Sequence, residues 1–167
     1  MGEHELSAEM IPTETQRDRV IETVARFHRA VDYSDWDLFR SVVTDDVAWW
    51  ISISDGSSTL VHDFSGADKI VDYLQLVAPG ATPHHHTTNH LVEISETTAN
   101  CEAYMLAVNR LTLTPLAEAV VKCDLLKSGD GWLIERFTIE EHVQRGSVRY
   151  IQSLLRDWVS PQSTARS

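Results

Sequence analysis

Apolar residues recur at helical spacing near the start of the chain. These positions, three or four residues apart, are Val20, Val24, Phe27 and Val31. The repeat predicts an amphipathic helix from about residue 14 to residue 32, because such spacing places the side chains on one face. Thr13 and Gln16 have the spacing of a capping box, which favours a helix start there. Ser34 is then expected to cap a second, short helix with the sequence DWDLFRSVV.

In the segment VAWWISIS the large apolar residues occur at every second position, which is the spacing of a β-strand. One face of the predicted strand carries Val47, Trp49, Ile51 and Ile53. A third helix, ADKIVDYLQLVA, follows, and four long strand-like runs separated by short turns begin at His84. Short turns between long strands indicate an antiparallel meander. The last amphipathic segment, GSVRYIQSLLRDWV, is predicted to be a terminal helix.

This order of elements predicts an α+β fold, in which helices pack on one face of an antiparallel sheet. A strongly curved sheet wrapped over the long first helix leaves a conical pocket, lined by the end of that helix and the concave faces of the strands. One domain is expected over residues 13–160. Residues 1–12 and 161–167 are polar, and we expect them to be flexible ends.

Charge and composition narrow the class of protein. The chain has 167 residues and a net charge of −11 with histidine neutral. Such an acidic field repels phosphate backbones and anionic lipids, so neither nucleic acid nor a membrane is an expected partner. Cys101 and Cys123 lack the spacing of a zinc site and are interpreted as reduced core residues. Without a leader or a long apolar stretch, a soluble cytoplasmic protein is the expectation.

Four of the eight histidines crowd into the segment HHHTTNH. They are His84, His85, His86 and His90. Imidazole exchanges protons near neutral pH, so acid/base chemistry is one interpretation of the cluster. A metal site is a second, since His84 and His86 lie two apart, but no matching carboxylate cluster accompanies them and we expect no metal. The third is a solvated strand start in which the histidines only form hydrogen bonds.

A general base needs a partner that orients it, and Asp32 is the candidate for this role. It ends the first helix, where the negative end of the helix dipole disfavours a carboxylate unless a positive group faces it. That mismatch suggests a function for Asp32. The alternative is an acidic turn in which Asp32, Asp35 and Asp37 cap the second helix.

Four further residues are candidates for lining the pocket and binding a substrate. Trp49 and Tyr104 are aromatic, and Ile51 shares a strand face with Trp49. Asn109, or its neighbour Arg110, interrupts an apolar run and is a candidate hydrogen-bond donor to a substrate oxygen. Each has a plainer interpretation as core or as a strand leaving the core. No GxSxG motif and no glycine-rich phosphate loop occurs, so we expect no cofactor.

Four strings in register resemble the SnoaL-like branch of the NTF2-like, cystatin-like superfamily. They are AVDYSDWDLFRSVVTDDVAW (30–49), FSGADKIVDYL (64–74), HHHTTNHLVEISETTANCEAYML (84–106) and GDGWLIERF (129–137). This branch includes scytalone dehydratase, bile acid 7α-dehydratase and hexachlorocyclohexane dehydrochlorinase. The resemblance implies a cystatin-like cone, in which a curved antiparallel sheet wraps around a long N-terminal helix.

The resemblance also implies catalytic roles for two residues. In lyases of this branch, an aspartate at the end of the first helix and a histidine at the start of the second long strand form the catalytic pair. These positions fall on Asp32 and His85, with His85 as the base and His86 as the alternative. Strand alternation puts His85 on the face opposite to His86 and His90, so the assignment requires a β-bulge or a shifted register. His86 and His90 are candidates for binding substrate.

The activity that the resemblance implies is a cofactor-independent lyase, such as a dehydratase, or an isomerase acting on a small hydrophobic cyclic molecule. Val31 and the pair Asn109-Arg110 replace a tyrosine and a second histidine of scytalone dehydratase, so a scytalone-type substrate is not implied. The non-catalytic small subunit of an aromatic-ring dioxygenase and a small-molecule carrier share the fold and stay as alternatives. Family members commonly form homodimers or homotrimers through the convex sheet, which apolar residues on both strand faces permit.

Overall fold

The helical and alternating patterns produce three helices and six strands in the part of the chain that the computed structural model describes. That part is residues 15–77 and 83–143, together with residues 148, 152 and 153. The elements are α1 (Gln16–Tyr33), α2 (Trp36–Val42), β1 (Val43–Ser54), β2 (Thr59–Ser65), α3 (Ala67–Val77), β3 (Pro83–Ile94), β4 (Thr98–Asn109), β5 (Pro115–Ser128) and β6 (Gly131–Val143). The predicted flexible ends and most of the predicted terminal helix lie outside the described residues. Within them, no helix is long and apolar enough to cross a membrane.

Helix α1 is confirmed, but it begins at a different cap from the one predicted. The Thr15 hydroxyl accepts a hydrogen bond from the backbone N–H of Asp18 at 3.2 Å, and the Asp18 carboxylate accepts one from the backbone N–H of Thr15 at 3.0 Å. The predicted box of Thr13 and Gln16 is therefore wrong. Asp18 suits the role better because its negative charge also faces the positive end of the helix dipole.

The end of α1 is closed by Ser34, which does not cap the second helix as predicted. Ser34 adopts a left-handed conformation with φ 55°, and its backbone N–H donates to Val31 while that of Asp35 donates to Ala30. These backbone hydrogen bonds satisfy the last carbonyl groups of the helix. The side chain of Asp32 takes no part in them. Asp35 is the cap of α2, so the acidic turn that would include Asp32 does not form.

The six strands form one curved sheet in the order β2-β1-β6-β5-β4-β3. Neighbours run antiparallel except β1 and β6, which pair in parallel with Trp49 opposite Phe137. Helix α1 packs against β3 and β6, so it covers the concave face. The predicted apolar face of β1 is confirmed, since its four apolar side chains are at most 5% exposed. The α+β prediction and the cystatin-like cone are confirmed.

Strand β3 contains the β-bulge that the assignment of His85 required. Thr88 pairs with Tyr104 and Leu91 pairs with Glu102, so β3 has one more residue than β4 over this interval. Asn89 takes up the extra residue in a left-handed conformation with φ 56°. The bulge reverses the alternation along β3, which places His85 and His90 on the same face.

Candidate active site

The end of α1 and the start of β3 bring Asp32 and His85 into direct contact. One carboxylate oxygen of Asp32 lies 2.5 Å from Nδ1 of the His85 ring. Both carboxylate oxygens also accept from the backbone N–H of His85, at 3.2 and 3.1 Å. Asp32 is only 7% exposed, and these bonds offset the cost of burying a carboxylate at the negative end of a helix.

The contact fixes which nitrogen of His85 is available for chemistry. Because a carboxylate accepts hydrogen bonds and does not donate them, the proton in this contact belongs to Nδ1. In the neutral ring Nε2 then carries the lone pair and is the nitrogen available to accept a proton. A ring held through Nδ1 with Nε2 open is the arrangement of a general base with its orienting carboxylate.

His85 lines a cavity of about 300 Å³ on the concave side of the sheet. Most of the wall is apolar, with contributions from Phe27, Trp49, Ile51, Leu74, Met105 and Phe137. A second cavity of about 300 Å³ meets the Asp32–His85 pair from another side and is more polar, being bordered by Arg26 and Arg29. The Asp32–His85 pair therefore lies between the first cavity, which we call the apolar chamber, and the more polar second cavity.

His28 is a buried histidine one turn before Asp32 on α1, and it borders both cavities. It is 5% exposed, its ring centroid lies 5.3 Å from that of His85, and its Nε2 has no hydrogen-bond partner among the described residues. Burial lowers the pKa of His28 well below its usual value, and the nearby His85 and His90 lower it further. His28 is accordingly a neutral ring beside His85.

His28→Leu is expected to make folding less sensitive to acid. Below a pH of about 6.5 the unfolded chain binds a proton at this histidine, whereas the folded chain does not until a much lower pH. Acidification through that window favours unfolding, with a slope approaching about 1.4 kcal/mol per pH unit. Urea unfolding between about pH 5 and pH 7.5 measures the slope. His142→Leu, at an exposed histidine, is the control, and equal slopes in the two variants would contradict a neutral buried His28.

Glu141 is the carboxyl group of the apolar chamber. It lies on β6 between Ile139 and Val143, which line the same wall. Burial raises the pKa of Glu141, while the nearby His85 acts in the opposite direction. Burial also raises the pKa of the Tyr73 hydroxyl on α3, and Glu141 adds to this effect. The carboxyl group of Glu141, the hydroxyl of Tyr73 and the imidazoles of His28 and His85 thus border a largely apolar space.

Two of the predicted pocket residues, Trp49 and Ile51, lie in the chamber wall. Tyr104 does not, because its strand position points to the outer face, where it is 57% exposed. Asn109 does not either, since its side-chain oxygen accepts from the backbone N–H groups of Leu111 and Thr112 in the turn after β4. The structure therefore places neither residue in the chamber wall, Tyr104 because of strand alternation and Asn109 because its side chain caps the turn.

His86 and His90 lie away from both cavities. His86 is exposed on the side opposite to His85, with its ring centroid 4.6 Å from that of His84. The bulge turns His90 to the inner face, but its ring is within hydrogen-bond distance of the Thr87 hydroxyl, at 3.2 Å. The structure thus brings His85 alone of the four clustered histidines into the chamber. Over the described residues, no group of three or more potential ligands could hold a metal ion.

His28 and Glu141 are two site residues that sequence reasoning missed. Both had a visible signal in the sequence. His28 falls four residues after Val24 on the buried face of α1, and Glu141 continues the alternating row of Phe137 and Ile139 on β6. A titratable residue in an apolar row is uncommon enough to mark a functional candidate.

The fold and the site define a protein of the cystatin-like, NTF2-like class, with a helix-covered curved sheet and a chamber at its concave face. The sequence model of the SnoaL-like domain matches residues 13–138, and the chain belongs to this family. A search of curated protein sequences finds no match to the chain.

Solved structures with the same fold are distant in sequence. A protein of unknown function with a cystatin-like fold from Nostoc punctiforme is 19% identical, with a TM-score of 0.65 over 78% of this chain and 94% of that one. The hexachlorocyclohexane dehydrochlorinase LinA-type3 of Novosphingobium barchaimii is 18% identical, with a TM-score of 0.59 over 75% and 85%. A chain assigned as the beta subunit of an aromatic-ring-hydroxylating dioxygenase from Novosphingobium aromaticivorans is 10% identical, with a TM-score of 0.60 over 76% and 89%. At these identities the likeness establishes the fold.

Proposed function

We propose that this protein is a cofactor-independent lyase, a dehydratase or a related elimination enzyme, or an isomerase that acts on a small hydrophobic cyclic molecule. The observation that carries the proposal is the buried contact of Asp32 with Nδ1 of His85 at the wall of an apolar chamber. A paired carboxylate and imidazole are costly to bury, which favours a functional role for the pair.

His85 is the general base in this proposal. Its Nε2 takes a proton from a carbon atom next to an activating group of the substrate, and the ring becomes an imidazolium. Asp32, 2.5 Å from Nδ1, stabilises that positive charge and keeps the ring in place. The apolar side chains of the chamber exclude water, which strengthens the electrostatic interaction between the two residues.

The size and lining of the chamber support the choice of substrate class. A volume of about 300 Å³ is at the lower end of the range for small-molecule sites and fits a compact ring system. Trp49, Phe137 and Met105 supply flat and flexible apolar contacts in the wall. A hydrophobic cyclic molecule of modest size matches these walls better than a highly charged one.

The proposal is tested by comparing wild type with His85→Gln on a panel of cyclic hydroxyketones, cyclic chlorides and cyclic enones. Mass spectrometry detects loss of water or hydrogen chloride and movement of a double bond. Wild type should turn over at least one class, and His85→Gln should reduce that rate by a factor of about 100 or more. Binding of panel members without turnover would favour a carrier, and co-purification with a larger iron-containing chain would favour a dioxygenase subunit.

We also propose that the protein forms a homodimer or homotrimer through the outer face of the sheet. Leu91, Tyr104 and Leu106 expose 68%, 57% and 44% of their surfaces on β3 and β4. Register pairing places them on the same face, and water contact with such apolar surface is unfavourable. Sedimentation of wild type and Leu106→Glu tests this interface, with Leu113→Glu in the turn after β4 as the control. A monomeric wild type would contradict it.

A further inference from the structure

Glu141 is a carboxyl group that the Asp32–His85 mechanism does not use, yet it shares the chamber with His85. Its inward position follows from the alternation of β6. It forms no hydrogen bond or ion pair with the described residues, and the titratable groups that act on it are His85 from β3 and Tyr73 from α3. Burial in this apolar wall favours the neutral acid and raises the pKa of Glu141, while the nearby His85 acts in the opposite direction.

The sheet leaves open space between Glu141 and His85. Glu141 pairs with Ala119 on β5, His85 pairs with Ala107 on β4, and Ala107 pairs with Ala117. Three strand spacings, about 14 Å along the sheet, separate β3 from β6. The inward residues between them on β4 and β5 are three alanines and Met105, and both Glu141 and His85 border the same cavity of about 300 Å³.

We propose that Glu141 is a second catalytic residue, a carboxylic acid that protonates a departing hydroxyl group while His85 removes a carbon-bound proton on the other side of the substrate. The inference rests on the proposed function of His85 and narrows it to loss of water. A chloride ion departs without a proton, whereas hydroxide is a poor leaving group that an acid must convert to water.

The step balances without a co-reactant. The C–H bond breaks, its proton goes to Nε2 of His85, and its electron pair forms the carbon–carbon double bond. The C–O bond breaks with its electron pair on oxygen, which takes the Glu141 proton and leaves as water. The enzyme then holds an imidazolium and a carboxylate, and transfer of one proton from His85 to Glu141 through solvent restores the starting state.

The turnover test uses two probes with the same carbon skeleton, 3-hydroxycyclohexanone and 3-chlorocyclohexanone. Both yield 2-cyclohexenone, which is followed by its ultraviolet absorbance after subtraction of the rate in buffer. Glu141→Gln should lower the ratio of the hydroxyl rate to the chloride rate by a factor of about 100 relative to wild type. Glu140→Gln, at the exposed neighbour on the same strand, should keep the wild-type ratio.

The outcomes separate this inference from the proposed function. If His85→Gln leaves both rates unchanged, the proposed function fails. If His85→Gln removes both activities and Glu141→Gln leaves the ratio unchanged, the role of Glu141 is overturned and that of His85 stands.

A second measurement needs no substrate. The infrared difference spectrum between wild type and Glu141→Gln at about pH 7 should contain the carbonyl band of a protonated carboxyl group. A carboxylate band in its place would overturn the inference even if neither probe is turned over.

Discussion

Asp32→Asn is expected to lower turnover by a factor of about 1,000 or more while the protein stays folded. The asparagine oxygen can still accept the backbone N–H of His85. Its NH₂ group, however, donates where the carboxylate accepted, so it favours a ring that carries its proton on Nε2. That tautomer has no lone pair at the nitrogen facing the chamber. The variant also lacks the negative charge that stabilises the imidazolium.

Steady-state kinetics on the substrate identified from the panel measure this effect, and circular dichroism checks the fold. The matched control is Asp46→Asn, at an exposed aspartate on β1, which should retain the wild-type rate. The expected loss falls in kcat, since the tautomer affects proton removal more than binding. A variant with wild-type kcat would show that Asp32 holds β3 to α1 without a part in the chemistry.

The contrast between Asp32 and Tyr104 shows which parts of the site can be predicted from the sequence. Asp32 conflicts with its local environment, because the C-terminal end of a helix is negative and disfavours a carboxylate. That conflict can be recognised in the sequence alone. Tyrosine is compatible with either face of a β-strand, so the residue type at position 104 does not indicate which face the side chain lies on. The direction depends on the register of β4 against β3 and β5, which pairing between distant segments determines.

The β3 bulge is the feature that decides which histidines reach the chamber, and the sequence gives little warning of it. Asn89 is a residue type that tolerates a left-handed conformation, but asparagine also occurs in many regular strands. The order of helices and strands was predictable because it depends on periodicity over ten or more residues. The orientation of a single ring depends on one inserted residue, which periodicity does not resolve.

The inward position of Glu141 could have been predicted from the alternation of β6. Its neighbours Phe137 and Ile139 are 1% and 5% exposed, and the same alternation carries Glu141 to the inner face. The acidic pair Glu140-Glu141 looks like a solvated strand end when composition is considered alone. Placing each residue on its strand face before judging its polarity would have separated the exposed glutamate from the inward one.

Phe27→Ala is expected to destabilise the protein by about 3–5 kcal/mol, the range for removing a large buried aromatic side chain. Phe27 is 1% exposed, and its ring stacks on Phe137 with centroids 4.6 Å apart. Phe39 and Trp49 also lie against it, at 5.5 and 5.9 Å, so its loss removes contacts from α2 and from two strands. Urea unfolding monitored by circular dichroism measures the change in the free energy of unfolding.

Tyr33→Ala is the matched control, since it removes an aromatic ring from the same helix at a position that is 58% exposed. Tyr33→Ala should lower the free energy of unfolding by less than about 1 kcal/mol. If Phe27→Ala does not fold, Phe27→Leu keeps most of the volume and should lose less than Phe27→Ala, about 1–2 kcal/mol. If Phe27→Ala loses no more free energy of unfolding than Tyr33→Ala, the core is not centred on the Phe27 ring. Because Phe27 also lines the chamber beside His28, a measured cost in the expected range would mean that one cluster of aromatic rings supports both the fold and the wall of the site.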